Sequence, residues 1–218
     1  MQNKNVPTNW VIIVAAGSGV RFGQLKQFLL LDGKPILEWS LQAIRPLQLG
    51  VVVVLPPGID PPNLEGVNYF IEGGKTRAES VKRGIDLVPP DAEVILIHDA
   101  ARPMASTKLF DLMVKAIQKG ADAAIPGLAV SDTLKKIQGD KVQTVPREEF
   151  ILSQTPQSFK AQVIRKAHES NTEATDDAAL VEELGVKIDI VKGEPYNMKI
   201  TYPHDLILLN SIIKSGIL

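Results

Sequence analysis

The chain has 218 residues, 44% of them hydrophobic and 22% charged, with a formal net charge of −1 and no cysteine. This length and composition suit one sizeable globular domain, and the near-zero charge excludes a general positive field for gathering nucleic acid. Without cysteine there are no disulfides, thiolate zinc sites or cysteine nucleophile, a pattern that suits a reducing compartment.

The N-terminus, MQNKNVPTNW, is polar and lacks an h-region. No secretory signal is expected, and the expected compartment is the cytoplasm, or an organelle stroma after removal of a transit peptide. The apolar runs VIIVAA and VVVVLPP fall far short of the roughly 20 residues a membrane span needs. Neither a membrane nor a nucleic acid is an expected partner.

Val11–Val14, Val51–Leu55, Val94–Ile97 and Ala123–Ile125 are short, largely β-branched runs that end in turn residues. Strands buried on both faces of a parallel sheet have this composition. Helical patterns alternate with them. KPILEWSLQAI carries Pro35 at its start, well placed for a first turn. TRAESVKRGIDLV begins with Thr76 and has Glu79 three residues on, the spacing of a capping box. STKLFDLMVKAIQKG ends at Gly120, a natural residue just past a helix. The alternation predicts an α/β sandwich with a mostly parallel sheet. DTLKKIQGDKVQTV interrupts it and reads as a hairpin about Gly139-Asp140. A bare hairpin is marginal alone, so this one is expected to pack on something, including another subunit. Helices follow near Lys160–Ser170, Asp177–Leu184 and Pro203–Ile213, with a strand at Val186–Val191. No linker divides the chain. A single domain is expected over 1–218, with a protruding arm at 133–155.

Ligands of open α/β sheets bind at the carboxyl ends of the strands, where three loops are expected. The first is Ala15–Lys26, with Gly17, Gly19, Gly23, Arg21 and Lys26. Small residues let backbone N–H groups approach a polyphosphate. Arg21 can grip phosphate oxygens bidentately and Lys26 adds a compact charge, as phosphoryl transfer requires. The glycines are spaced one residue too widely for G-x-G-x-x-G, and LPPG after the second strand offers no acid for a ribose. A ligand-free glycine turn would leave the two cations unexplained.

The second loop is EGGKTRAES, Glu72–Ser80. Gly73 and Gly74 permit close backbone approach, and Ser80 could help read the edge of a base. Taken alone, the segment reads as a plain loop before a capped helix, with Arg77 structural. Its GKT resembles the tail of a Walker A motif, but Tyr69 stands where the motif needs glycine. The third loop is LIHDAARP, with Asp99 directly after an apolar strand. One carboxylate plus substrate phosphates suits Mg²⁺; the competing reading makes Asp99 a cap or a partner of Arg102. His98 reads as a hydrogen-bonded histidine at a strand end. Three histidines and no cysteine argue against a transition-metal cluster.

AAGSGVRFGQLKQF, GGKTRAES, HDAARP, VSDTLK, QTPQ, TDDA and NMKITYPHDL occur in that order. As an ordered set they resemble the 2-C-methyl-D-erythritol 4-phosphate cytidylyltransferase family of the non-mevalonate isoprenoid pathway, from about Trp10 to Leu209. The resemblance implies a Rossmann-like nucleotidyltransferase sandwich, a mostly parallel sheet flanked by helices with a β-hairpin arm. It implies that CTP and methylerythritol phosphate react by in-line attack on the α-phosphate, with Mg²⁺ or another divalent cation. By position, Arg21, Lys26 and Lys199 would serve the α-phosphate and the leaving pyrophosphate. Ala15, Ala16, Gly17 and Gly19 would cradle CTP, Gly74 and Ser80 would read cytosine, and Ala100 would lie by the ribose. Asp99 would support the metal. Thr133, Arg147 and Thr155 would hold the acceptor, the first two acting in the neighbouring subunit of a homodimer joined through the arm. The chain departs from the family pattern in two places. Leu25 precedes Lys26 after a shortened loop, and Lys75 stands where an acidic residue is usual. The rival readings are a cytidylyltransferase for another polyol phosphate such as ribitol 5-phosphate, a sugar-1-phosphate uridylyl- or guanylyltransferase, and a non-catalytic nucleotide-binding protein.

Overall fold

The structure is a computed structural model that describes residues 7–17, 22, 25–169 and 174–217, and of Lys26 the backbone alone. The first half runs β1 (Asn9–Val14), β2 (Leu30–Leu31), β3 (Lys34–Pro35), α1 (Ile36–Ile44), β4 (Gly50–Leu55), β5 (Tyr69–Glu72), α2 (Arg77–Leu87), β6 (Val94–Asp99) and α3 (Thr107–Gln118). The second half runs β7 (Ala123–Ala129), β8 (Leu134–Gln138), β9 (Lys141–Val145), β10 (Ile151–Ser153), β11 (Gln157–Lys160), α4 (Ala161–Ala167), α5 (Asp177–Glu182), β12 (Ile188–Lys192) and α6 (Pro203–Lys214).

The main sheet has the order β10-β7-β11-β6-β1-β4-β5, with β12 on β7. The β1–β4, β1–β6, β4–β5 and β7–β12 pairs are parallel. The expected mostly parallel sandwich is therefore present, with two antiparallel pieces that the apolar pattern did not announce. β11 lies antiparallel between β6 and β7, and β10 pairs antiparallel with β7.

The β-branched runs became β1, β4, β6 and β7 because both faces of the sheet are covered. Trp10, Ile12, Val52, Val54, Ile95 and Ile97 share one core with residues of α2, α4 and α5. Val11, Ile13, Val51, Val53 and Leu96 share the other with α1 and α3. Each such side chain taken out of water contributes about 1.5–3 kcal/mol. Gly50 lies opposite Trp10 in the β1–β4 register and leaves room for the indole. A third cluster, Leu31, Ile36, Ile200 and Leu209, docks α6 near α1.

Helix ends follow their capping chemistry. Ser106 accepts the Leu109 N–H at 3.1 Å to start α3, and Gly120 follows its end with φ +113°. Pro35 sits at the N-cap of α1, one step before the helix. At α2, Thr76 accepts the Glu79 N–H at 3.1 Å, while the Glu79 carboxylate takes the Lys75 N–H at 2.7 Å. The expected capping box is thus displaced by one residue on its return half. No helix among the described residues is long and apolar enough to cross a membrane.

The topology fixes where a ligand can sit. From β1 the chain runs outward through β4 and β5 on one side, then returns to β6 on the other. The switch point lies between β1 and β6, and there Val14 pairs with Asp99.

Candidate functional site

The first two loops meet beside this switch point. Ala15 donates its N–H to Val54 O at 2.9 Å, and Ala100 donates to Val14 O at 3.1 Å. Ala15 and Ala100 are buried, Ala16 is half-buried and Gly17 is exposed. A Cβ on Gly73 would fall 2.4 Å from Ala16 Cβ and 2.9 Å from Ser80 Oγ, so glycine is what allows the second loop to lie against the first. Gly74 is equally confined, because a Cβ there would meet Glu79 Cβ at 2.3 Å. Ser80 is buried; its hydroxyl donates to Thr76 O at 2.8 Å and accepts the Gly74 N–H at 3.1 Å. Gly19, Arg21 and the Lys26 side chain lie outside the described residues.

Asp99 ends β6 with its side chain 12% exposed. Lys199 Nζ stands 2.6 Å from its Oδ2, and Arg77 reaches its Oδ1 at 3.4 Å. Burial pushes the Asp99 carboxyl upward, but the Lys199 ammonium and then the Arg77 guanidinium outweigh it and hold the group well below the usual carboxylate range. The alternative partner, Arg102, spends its guanidinium on Asn197 O at 2.8 Å and Ser153 O at 3.3 Å. Lys199 and Asp99, 100 positions apart, are therefore brought together at the end of β6.

Arg77, read as structural from its sequence context, is drawn into an internal ion-pair chain. It also pairs with Asp177 at 2.7 Å, and the fully buried Asp177 takes His168 Nε2 at 3.0 Å on its other oxygen. A line of alternating charge therefore runs from α5 into the site. The double acid of TDDA divides its work, since Asp176 caps α5 through the Ala179 N–H at 3.0 Å while Asp177 turns inward. A helix starting at Asp177 was legible there; the cap at Asp176 and the inward role of Asp177 were not.

His98 is the buried, hydrogen-bonded histidine expected. Nδ1 lies 3.1 Å from Thr155 Oγ1 and Nε2 lies 3.3 Å from Ser40 Oγ. Burial lowers its pKa from 6.5 to about 4. Thr155 also accepts the Asp99 N–H at 3.0 Å and is only 5% exposed, so its hydroxyl is already engaged beneath Asp99.

Thr133 and Arg147 sit elsewhere. β8 and β9 form their own two-stranded sheet, with Gln138 opposite Lys141 across the Gly139-Asp140 turn. Both residues are exposed on this arm; Arg147 donates to Ser131 O and lies beside Glu148. Among the described residues no group of three or more His, Asp or Glu side chains could form an all-protein metal cage. The lone Asp99 carboxylate at the strand end fits a hard cation that keeps phosphate and water ligands.

The profile of IspD, 2-C-methyl-D-erythritol 4-phosphate cytidylyltransferase, matches residues 10–215. The chain belongs to this family. It is 42% identical over 210 residues to the enzyme of that name from Thermus thermophilus, covering 94% of this chain and 96% of that one. The crystal structure of the Thermus thermophilus enzyme superposes with a TM-score of 0.83 at 40% identity, over 94% of this chain and 98% of the other. The 4-diphosphocytidyl-2C-methyl-D-erythritol synthase structure from Anaerococcus prevotii gives a TM-score of 0.81 at 28% identity, over 96% and 100%. A bifunctional enzyme IspD/IspF from Solidesulfovibrio magneticus is 40% identical, and the match spans 90% of this chain but only 55% of that longer protein. Membership makes the chain a nucleotidyltransferase of the cytidylyltransferase class and removes the uridylyl- and guanylyltransferase readings.

Proposed function

We infer that the chain transfers the cytidylyl group of CTP to 2-C-methyl-D-erythritol 4-phosphate. A phosphate oxygen of the acceptor attacks the α-phosphorus in line, the bond from that phosphorus to the bridging oxygen breaks, and pyrophosphate departs with the electron pair. No covalent enzyme intermediate is needed. The observation that carries this reading is the Lys199–Asp99–Arg77 cluster at the switch point, in a chain of this family.

In this reading Ala15, Ala16, Gly17 and Gly19 cradle the triphosphate, Gly74 and Ser80 face the cytosine, and Ala100 lies by the ribose. Arg21, Lys26 and Lys199 neutralise charge developing at the α-phosphate and on the leaving group, the main catalytic task in phosphoryl transfer. Asp99 would hold Mg²⁺, which supplies further neutralisation of the phosphates when bound. Lys199 is paired with Asp99 and would exchange that partner for the nucleotide. Thr133 and Arg147 from a second copy would hold the acceptor phosphate, and Thr155, whose hydroxyl is engaged by Asp99 and His98, would support that side of the site from beneath.

A homodimer joined through the arm at 133–155 is part of the proposal, as is a single domain over 1–218. Ile137 and Val142, directly opposite in the hairpin register, are 74% and 65% exposed. Ile151 and Ile190 flank Gly127 and are 40% and 62% exposed. Apolar side chains so placed favour a covering partner. The proposed compartment is the cytoplasm.

The test is pyrophosphate release with CTP and Mg²⁺, comparing methylerythritol 4-phosphate, ribitol 5-phosphate and no acceptor. Release only with methylerythritol phosphate is expected. Release only with ribitol phosphate would keep the nucleotide half and overturn the acceptor half. No release with either, in protein that binds CTP, would return the chain to the binding class.

A further inference from the structure

Lys199 sits on irregular backbone between β12 and α6, yet catalysis at phosphorus tolerates little misplacement. What fixes it? Gln154, in QTPQ, is 4% exposed and spends its whole side-chain amide on the turn just before Lys199. Nε2 donates to Glu194 O at 2.9 Å and to Asn197 O at 3.2 Å. Oε1 accepts the Glu194 N–H at 3.0 Å and Asn197 Nδ2 at 3.3 Å. An amide has two donors and room for two acceptances, and all four go to residues 194 and 197.

The rest of the turn is tied down from the same side. Asn197, fully buried, donates through Nδ2 to Thr155 O at 2.8 Å. Just past Lys199, the Ile200 N–H bonds Ala101 O at 2.8 Å. Gln154 is itself anchored, its N–H donating to Pro126 O on β7 at 2.8 Å. Gly193 leaves space for the amide, since a Cβ there would meet Gln154 Oε1 at 2.7 Å. A continuous path thus runs from a sheet strand, through one saturated amide, to the backbone that carries Lys199.

We propose that Gln154 is a positioning residue that sets the reach of Lys199 to the α-phosphate, with Asn197 as the intermediary. This rests on the role given to Lys199 above. Gln154 does its work through Lys199, so its removal loses value once Lys199 is gone. A residue that merely supported the fold would cost the same in either background.

The experiment is a double-mutant cycle of Gln154→Met and Lys199→Ala, read as kcat and KM for CTP and for the acceptor. Methionine keeps the length and abolishes all four hydrogen bonds. Gln154→Met should lower kcat about 10- to 100-fold with KM for CTP within about threefold, the cost of misaligning a reacting group. In the Lys199→Ala background it should cost less than about twofold. Effects that multiply would overturn the inference and leave Lys199 in place. If Lys199→Ala itself keeps near-normal kcat, the role of Lys199 falls and the inference with it. Should Gln154→Met fail to fold, Gln154→Glu, which retains both accepted hydrogen bonds, enters the same cycle.

Discussion

Thr155→Val separates scaffold from substrate contact beneath Asp99. The substitution keeps the side-chain shape and removes the hydroxyl. It strips the Asp99 N–H of its 3.0 Å acceptor and His98 Nδ1 of its 3.1 Å partner. Both lost partners lie in buried surroundings, Asp99 at 8% and His98 at 0% exposure. A buried polar group left without a partner costs about 1–3 kcal/mol, and burying an added methyl returns a fraction of that. The net expectation is a loss of about 2–4 kcal/mol. In a domain of this size, that lowers Tm by about 4–16 °C. Urea unfolding and a thermal scan measure it, and the acceptor KM is taken from the same preparation. Unchanged stability together with a tenfold or larger rise in acceptor KM would refute the scaffold argument and put the hydroxyl on the substrate.

His98 has a folded-state pKa of about 4 against 6.5 ordinarily, so its contribution is whole above pH 6.5 and is lost as pH falls toward 4. That gap corresponds to about 3 kcal/mol; urea unfolding at stepped pH should steepen below 6.5, and a flat profile from 6.5 to 5 contradicts it. Gly50→Ala drives a Cβ to 2.3 Å from the Trp10 ring; the urea midpoint should drop by the equivalent of about 1–3 kcal/mol or more, and an unaltered midpoint speaks against the packing argument. Lys26→Ala should reduce kcat by about 10²–10³ and leave unfolding stability within about 0.5 kcal/mol; near-normal turnover removes Lys26 from the chemistry. Arg147→Ala should raise the acceptor KM about 10- to 100-fold, the worth of a charged hydrogen bond to phosphate, and raise the CTP KM less. The reverse pattern would mean that Arg147 serves the nucleotide.

The sheet centre was legible because β1, β4 and β6 are buried on both faces along most of their length and so carry continuous apolar runs. β11 was not, although Ser158 is fully buried and Gln157 1% exposed. Their burial is made possible by hydrogen bonds, Ser158 Oγ to Met113 O at 2.9 Å and Gln157 Nε2 to Asp176 at 2.7 Å. Hydropathy cannot see a polar strand whose partners lie far away in sequence. β5 was missed for the opposite reason: it is an edge strand with both ends exposed. The hairpin was readable because its turn chemistry is local, and Gly139 does take a positive φ of +58°. At the site, Asp99 stood out as an acid directly after an apolar strand. Lys199, Gln154 and Asp177 had no such local context, and only the family motifs singled out the segments that contain them.

The charge arrangement explains why those segments converge. Arg77 and Lys199 both contact one carboxylate, and Arg102 adds further positive charge nearby. Cations this close would repel one another without a shared anion, at a cost that grows as water is excluded. Asp99 relieves that repulsion while the site is empty, and Asp177 takes the second side of Arg77. The same cations keep Asp99 ionised, which is the state a hard divalent cation needs. On the function proposed above, a nucleotide with its metal would replace the internal ion pair without leaving any charge unpaired, with Lys199 turned to phosphate and Asp99 free to hold a hard cation. Such a site has to be drawn from strand ends, a helix start and a remote coil, since each charge must approach the same point from a different direction.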